Sequence, residues 1–199
     1  MRLLGMGILL FFYAVYIGKM LWQKRKGIHT DQIAKGGKRN SIFYVELVLK
    51  VATYAVVAVE VISIFAVEPL LPQSCIICGF ILGCIGNVIF LIAVVTMKDS
   101  WRAGIAEEDK TEMVTCGIYK ISRNPAFLGF DCVYIGLALM FFNLPLLIFS
   151  LFALGMLHMQ ILQEEQYLTK EFGDKYIDYK RKVCRYIGRK FWYAGGNEE

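Results

Sequence analysis

The chain has 199 residues, 57% of them hydrophobic, and a mean hydropathy of +0.50, which is too apolar for an ordinary soluble domain. Its net charge of +5 sits in a few connecting segments. There it reports topology and attraction to anionic lipid headgroups, and calls for no nucleic-acid partner.

The apolar residues fall into five blocks: 3–22, 42–67, 72–97, 126–142 and 146–162. The first three are long enough to cross a hydrocarbon core as a helix of about 20 residues, and the last two nearly so. The first block has only Arg2 before it, no small-residue cleavage site, and Lys24-Arg25-Lys26 directly after it. It therefore reads as a retained spanning helix and not as a cleaved leader. The second begins near Ser41 and places Glu46 and Lys50 one turn apart, close enough to its cytoplasmic end to pair or snorkel. Glu60 lies deeper, where a carboxylate is expensive and is either functional or turned towards headgroups or a polar partner.

The third block follows Pro72 and carries Gly79, Gly83, Gly86 and Asn87. The spacing of Gly79 and Gly83 lets two membrane helices approach closely. Cys75 and Cys78 are the only close cysteine pair, with no second pair and no histidine at ligand spacing. They read as small apolar residues, and no metal site is expected. The segment 98–123 is a polar loop. In it Trp101 suits the membrane interface, Arg102 suits headgroups or a ligand carboxylate, and Glu107-Glu108-Asp109 form an acidic patch. Asp131 follows about a turn and a half into the fourth block, facing either a pocket or a surface base. Asn143-Leu144-Pro145 predicts a tight turn, so blocks four and five form an antiparallel helical hairpin. Residues 164–183 place Leu168, Phe172, Tyr176, Ile177, Tyr179 and Val183 among many charges, with Gly173 between. This predicts two short amphipathic helices on the membrane surface, covering the base of the hairpin.

Of the 22 Lys and Arg residues, eight lie in 19–50, five in 98–123 and eight after Leu162, while 68–74 and 143–145 have none. The positive-inside rule then places the N-terminus outside and the C-terminus in the cytoplasm, and an odd number of spans satisfies every loop. The expectation is one all-α, polytopic integral membrane domain over 1–199 with about five transmembrane helices.

The hairpin brings the start of its first helix beside the end of its second. Arg123, Asn124, a helix N-terminus, Glu164 and Glu165 therefore meet at one membrane surface. Asn124 and Pro125 suit the cap and first helical positions, and the free N–H groups there favour an anionic group. Arg123 adds positive charge, while Glu164 and Glu165 accept from hydroxyls, amines or a cation. Singly, Arg123 reads as a membrane anchor and the glutamates as an acidic helix start. Jointly they suit a ligand with a carboxylate, a positive charge and sugar hydroxyls, such as S-adenosyl-L-methionine.

The pattern Gly117-x-Tyr119-x-x-x-Arg123-Asn124-Pro125-x-Phe127-x-Gly129, then Glu164-Glu165, then Phe172-Gly173-Asp174-x-Tyr176-x-x-Tyr179, strongly resembles the isoprenylcysteine carboxyl methyltransferase family. That family is related to the phospholipid N-methyltransferases. The resemblance covers about 98–187, including Trp101-Arg102. It implies S-adenosylmethionine entering from the cytosol and a lipophilic small molecule or lipid-modified acceptor arriving from the bilayer. It implies cofactor contacts from Gly117, Tyr119, Arg123, Asn124, Pro125, Phe127, Glu164 and Glu165, and catalytic roles for Arg185, Glu165 and Asn124. The chain departs from the family in having Asn124 for a histidine and Phe127 for a tyrosine. It also has Cys184 and Gly188 where the family favours proline, and Gln160 where eukaryotic members tend to carry an arginine.

A carboxylate acceptor is already ionised and needs only orientation, for instance by Arg185 or Arg123. An amine acceptor must lose a proton, for which Glu164, Glu165 or His158 are candidates. Two other classes compete: an NADPH-dependent membrane reductase, which would need more spans and a 2′-phosphate site, and a non-enzymatic interaction module. No internal repeat suggests a transporter.

Overall fold

The computed structural model describes residues 1–35, 41–105 and 112–190. The acidic patch Glu107-Glu108-Asp109 lies outside the described residues. Six α-helices follow in chain order: α1 (Arg2–Arg25), α2 (Ser41–Ala66), α3 (Gln73–Met97), α4 (Pro125–Met140), α5 (Leu144–Phe172) and α6 (Asp174–Lys182). Short 3₁₀ turns span Lys98–Ser100 and Gly117–Lys120, and the described residues contain no strand, only the isolated bridges Asp31–Ala103 and Val183–Arg189.

The chain is an all-α polytopic membrane protein. Arg2–Arg25, Ile42–Ala66, Gln73–Ser100 and Leu144–Phe172 are long and apolar enough to cross a bilayer. Helix α4 has 16 residues, a rise of about 24 Å, and packs against α3 along its length. Together these are the five apolar blocks of the sequence.

Glycine sets that packing. A Cβ placed at Gly136 would lie 2.6 Å from the Gly79 carbonyl oxygen and 2.8 Å from the Gly83 nitrogen, and one at Gly86 would lie 2.8 Å from the Gly129 carbonyl oxygen. The two backbones therefore touch at two levels, as small residues permit in membranes. Helix α1 closes on this pair through Phe12, whose ring sits 4.5 Å from that of Phe90 and 4.6 Å from that of Phe130. The Asn87 amide nitrogen donates to the Ile8 carbonyl at 3.1 Å. Helix α2 instead pairs with α5, and Leu49, Val56, Tyr134, Ala153 and Leu157 form the core between that pair and α4.

The basic loops meet at one end of the bundle, with Lys26 and Asp99 2.8 Å apart. At the other end Arg2 meets Glu68. At the basic end Gln32 and Ala103 join the loops through backbone bonds. Glu46, fully buried, accepts from the Ala34 amide at 2.8 Å and the Ile105 amide at 3.0 Å. Its carboxylate thus anchors both loops to α2. Glu60 is also fully buried, and neither of its carboxyl oxygens has a hydrogen-bond partner among the described residues.

The expectation of two separate surface helices after Leu162 needs correction. Helix α5 runs unbroken to Phe172, and only α6 is a separate amphipathic helix, begun after Gly173 at φ 54. Nothing between Leu162 and Phe172 breaks a helix, and Ile161, Glu165, Leu168 and Phe172 continue one face at helical spacing.

Replacing Gly136 by Leu should force α3 and α4 apart and lower stability by about 1–3 kcal/mol, read as a fall in the detergent unfolding midpoint. Gly155→Ala on the open face of α5, where an added Cβ meets nothing within 4 Å, should be neutral or stabilising by up to about 1 kcal/mol.

Candidate functional site

The turn Gly117–Lys120 leads through Ser122-Arg123-Asn124 into α4, and Pro125 takes the first helical position as its fixed φ favours. The C-terminal segment lies along this entry. The Arg123 amide donates to the Cys184 carbonyl at 3.1 Å, and the Gly188 amide donates to the Ile121 carbonyl at 2.8 Å. The Tyr179 hydroxyl ties α6 down by donating to the Tyr119 carbonyl at 2.6 Å.

Glu165 is the centre of the polar cluster. Its Oε1 accepts from Arg123 Nη2 at 2.7 Å and Nε at 3.2 Å, from Asn124 Nδ2 at 3.2 Å and from Arg185 Nε at 3.2 Å. Its Oε2 accepts from Arg185 Nη2 at 3.0 Å. Arg123 also donates through Nη1 to the carbonyls of Val183 at 2.7 Å and Lys180 at 3.2 Å. The side chains of Arg123 and Glu165 are 4% and 2% exposed, that of Arg185 33%. The Glu165 hydrogen bond holds the Arg185 guanidinium still more firmly protonated than usual. Asn124 occupies the cap position without a capping side-chain bond, because its amide nitrogen turns to Glu165 and to the Arg185 carbonyl.

Two cavities flank this cluster. The smaller, about 120 Å³, lies at the basic end between the rings of Trp101, Tyr119, Phe127, Phe172, Tyr176 and Tyr179, with Ser100, Arg102, Glu112, Arg123, Asn124 and Glu164 among its polar groups. Burial pushes the Tyr119, Tyr176 and Tyr179 phenols well above their usual range. They are therefore neutral hydroxyls at any physiological pH.

The larger cavity, about 320 Å³, lies inside the bundle. Tyr13, Tyr16 and Met20 of α1 line it with Leu49, Lys50, Thr53, Tyr54 and Val57 of α2, Phe90 of α3, Phe130 of α4 and Leu157 and Gln160 of α5. The cavities share a wall made by Trp101, Arg102, Ala126, Phe127 and Glu164. Gln160 Nε2 donates to Glu164 Oε1 at 3.1 Å across that wall's α5 side.

Of the residues given catalytic or cofactor roles from the sequence, five line the small cavity: Tyr119, Arg123, Asn124, Phe127 and Glu164. Glu165 and Arg185 lie behind it in the cluster, Pro125 is buried at the α4 start, and Gly117 begins the turn at φ 57. His158 is held elsewhere, its Nδ1 2.7 Å from the Tyr186 hydroxyl. Asp131 lines neither cavity, and its buried Oδ1 has no partner among the described residues. All six cysteines are free. Sequence reasoning missed the contribution of α1 and α2. The signal lay in Leu49, Lys50, Thr53, Tyr54 and Val57, which repeat at helical spacing on one face of an otherwise apolar block.

A model of the isoprenylcysteine carboxyl methyltransferase family matches residues 75–170. The probable protein-S-isoprenylcysteine O-methyltransferase of Oryza sativa subsp. indica is 33% identical over 108 residues, 53% of this chain and 56% of that protein. The protein-S-isoprenylcysteine O-methyltransferase of Saccharomyces cerevisiae is 32% identical over 114 residues, 56% of this chain and 48% of that protein. In Arabidopsis thaliana, protein-S-isoprenylcysteine O-methyltransferase B is 29% identical over 108 residues, 53% of this chain and 55% of that protein. The chain spans about half the length of the curated relatives it matches.

Arg123→Met should destabilise the protein by about 2–4 kcal/mol, because it removes the most buried cation from a carboxylate then left to Arg185 and Asn124, and frees the Val183 and Lys180 carbonyls. Arg185→Met, at the more exposed partner, should cost less. Limited proteolysis of 183–190 together with thermal unfolding would rank the two. At the loop pair, burial would raise the Asp31 carboxyl, but Lys35 and Lys50 outweigh it and hold it below its usual range. That depressed value means the stabilisation is present above about pH 4 and is lost as pH falls through the folded value. Hydrogen exchange at the Gln32 and Ala103 amides should accelerate there, and should not in Asp31→Asn.

Proposed function

We propose that the chain is a member of the isoprenylcysteine carboxyl methyltransferase family, whose model matches its segment 75–170, and that it transfers a methyl group from S-adenosylmethionine to the carboxylate of a lipophilic, prenylcysteine-type acceptor. One observation carries this reading: an aromatic, polar cavity at the basic end meets an apolar cavity inside the bundle across a single wall of Trp101, Arg102, Ala126, Phe127 and Glu164. Such a pair suits a water-soluble donor and a membrane-borne acceptor.

The residues of the small cavity fit the cofactor. The faces of Tyr119, Phe127 and Tyr176 suit a sulfonium cation and an adenine ring. Glu164 suits ribose hydroxyls, the Asn124 Oδ1 suits the ammonium group, since its amide nitrogen is committed to Glu165 and the Arg185 carbonyl, and the first-turn N–H groups of α4 suit the carboxylate. Held there by Tyr119, Phe127, Glu164 and the α4 start, the cofactor would supply an electrophilic methyl, its sulfur keeping the electron pair of the C–S bond as the carboxylate oxygen took the methyl, with no proton to be moved. No general base is needed, which agrees with the neutral tyrosines around the site. The apolar walls formed by Phe130, Leu157 and Val57 exclude water from the acceptor carboxylate and so remove hydration that would oppose attack.

In this reading Asn124 touches the cofactor and is catalytic in that sense. Glu165 and Arg185 are positioning residues. With Arg123 they fix the first turn of α4 against α5, so that Phe127 and Glu164 face each other across the cavity. Gly117 and Pro125 shape the turn and the helix start. The basic end is cytoplasmic, with the N-terminus outside and the C-terminus inside, and the whole chain acts as one membrane-embedded domain.

Calorimetry on the detergent-purified protein should show micromolar binding of S-adenosylhomocysteine and none of NADPH. Glu164→Ala should weaken that binding about tenfold or more without loss of fold. Transfer of labelled methyl to N-acetyl-S-farnesylcysteine should fall in parallel. NADPH binding in place of S-adenosylhomocysteine would move the chain to the reductases, and undiminished transfer in both Glu164→Ala and Phe127→Ala would sink the site assignment.

A further inference from the structure

We propose that Lys50 of α2 receives the carboxylate of the acceptor, so that α2, outside the segment matched by the family model, selects an anionic amphiphile. This rests on the methyltransferase reading above and names the group that orients its substrate.

Lys50 lies in the third turn of α2, towards the basic end, and its half-buried side chain lines the large cavity. A half-buried ammonium is costly unless it meets an anion. Its contact is a long one, 3.4 Å from Asp31 Oδ2. Asp31 already has a closer cation, Lys35 at 2.9 Å, and accepts the Ile33 amide as well. With three donors, Lys50 retains capacity for a second anion. The other cations near the cavities are more committed. Arg123 is closed by Glu165 and two carbonyls, and Arg102 Nη1 donates to the carbonyls of Asp99 at 2.6 Å and Trp101 at 3.0 Å.

Charge on the facing wall also decides the side. Glu164 projects from α5, so a carboxylate seated there would meet a like charge, whereas against α2 the neighbouring carboxylate, Asp31, is offset by both Lys35 and Lys50. The rest of the cavity then takes the chain of the acceptor along Tyr13, Leu49, Val57, Phe130 and Leu157. A lipid phosphate presents the same chemistry to Lys50, and membrane composition separates the two sources.

The test measures direct binding of N-acetyl-S-farnesylcysteine and of its carboxamide, which lacks the charge, to the full chain in phosphatidylcholine nanodiscs. In Lys50→Met the acid should bind about tenfold or more weaker, as loss of a charge-assisted bond implies. The carboxamide should bind as before, Lys50→Arg should restore the acid, and S-adenosylhomocysteine binding should be unchanged, which certifies the fold. Unchanged acid affinity in Lys50→Met would overturn the proposal. So would equal weakening of acid and carboxamide, or an effect that appears only when phosphatidylglycerol is present. Acid binding that depends on Lys50 in a protein that neither binds S-adenosylhomocysteine nor transfers methyl would leave Lys50 assigned while defeating the methyltransferase reading.

Discussion

A single buried carboxylate organises the basic end of this protein. Glu165 is almost fully enclosed and would be intolerable alone in so apolar a setting. Two guanidinium groups and an amide converge on it, and they arrive from different parts of the chain: Arg123 and Asn124 from the entry to α4, and Arg185 from the C-terminal segment. Satisfying one charge therefore joins the hairpin start, the hairpin end and the tail. The smaller cavity exists because these three are held together. Removing any one partner would loosen the walls that the α4 start, α5 and α6 supply, so a group that does not line the cavity helps to set its shape.

Much of this was legible in the sequence. Arg123-Asn124-Pro125, the turn at Asn143-Leu144-Pro145 and the pair Glu164-Glu165 are enough to predict a hairpin with its polar ends together, because helix direction and a short connection leave no alternative. The division of labour within that cluster was not legible. Adjacent glutamates on a helix point about 100° apart: Glu164 faces the cavities while Glu165 faces the arginines. Only the packed structure distinguishes them. Likewise Asn124 suits a cap by residue type, yet its side chain finds the stronger, charged acceptor in Glu165. The length of α5 was hidden for a different reason. The change from apolar to charged composition at Leu162 marks where the surroundings change, whereas the helix ends only at Gly173, where the backbone must turn.

The two cavities also differ in the part of the chain that builds them. The smaller is walled mainly by α4, α5, α6 and the turn before α4, the region that carries the recognisable motifs. The larger draws more than a third of its lining from α1 and α2, which pair with different partners and meet each other only lightly. A single tyrosine or lysine within an apolar block reads as an interfacial anchor when seen alone. The cavity becomes visible only when Tyr13, Tyr16, Lys50 and Tyr54 converge from two helices that have no sequence relation to each other.

The shortness of α4 has a consequence for depth. A helix rising about 24 Å cannot reach both faces of a hydrocarbon core about 30 Å thick. At least one of its ends therefore lies several ångströms beneath the lipid–water boundary; where that end is the first turn, Asn124 and Phe127 sit at that depth. A reacting group that meets the site at that level never has to be hauled out of the bilayer. Each methylene drawn into water would oppose the approach by about 0.8 kcal/mol. On the reading proposed above, the polar residues at the start of α4 would then sit at the depth at which an amphiphile already floats, and the membrane itself would present the molecule in the right orientation.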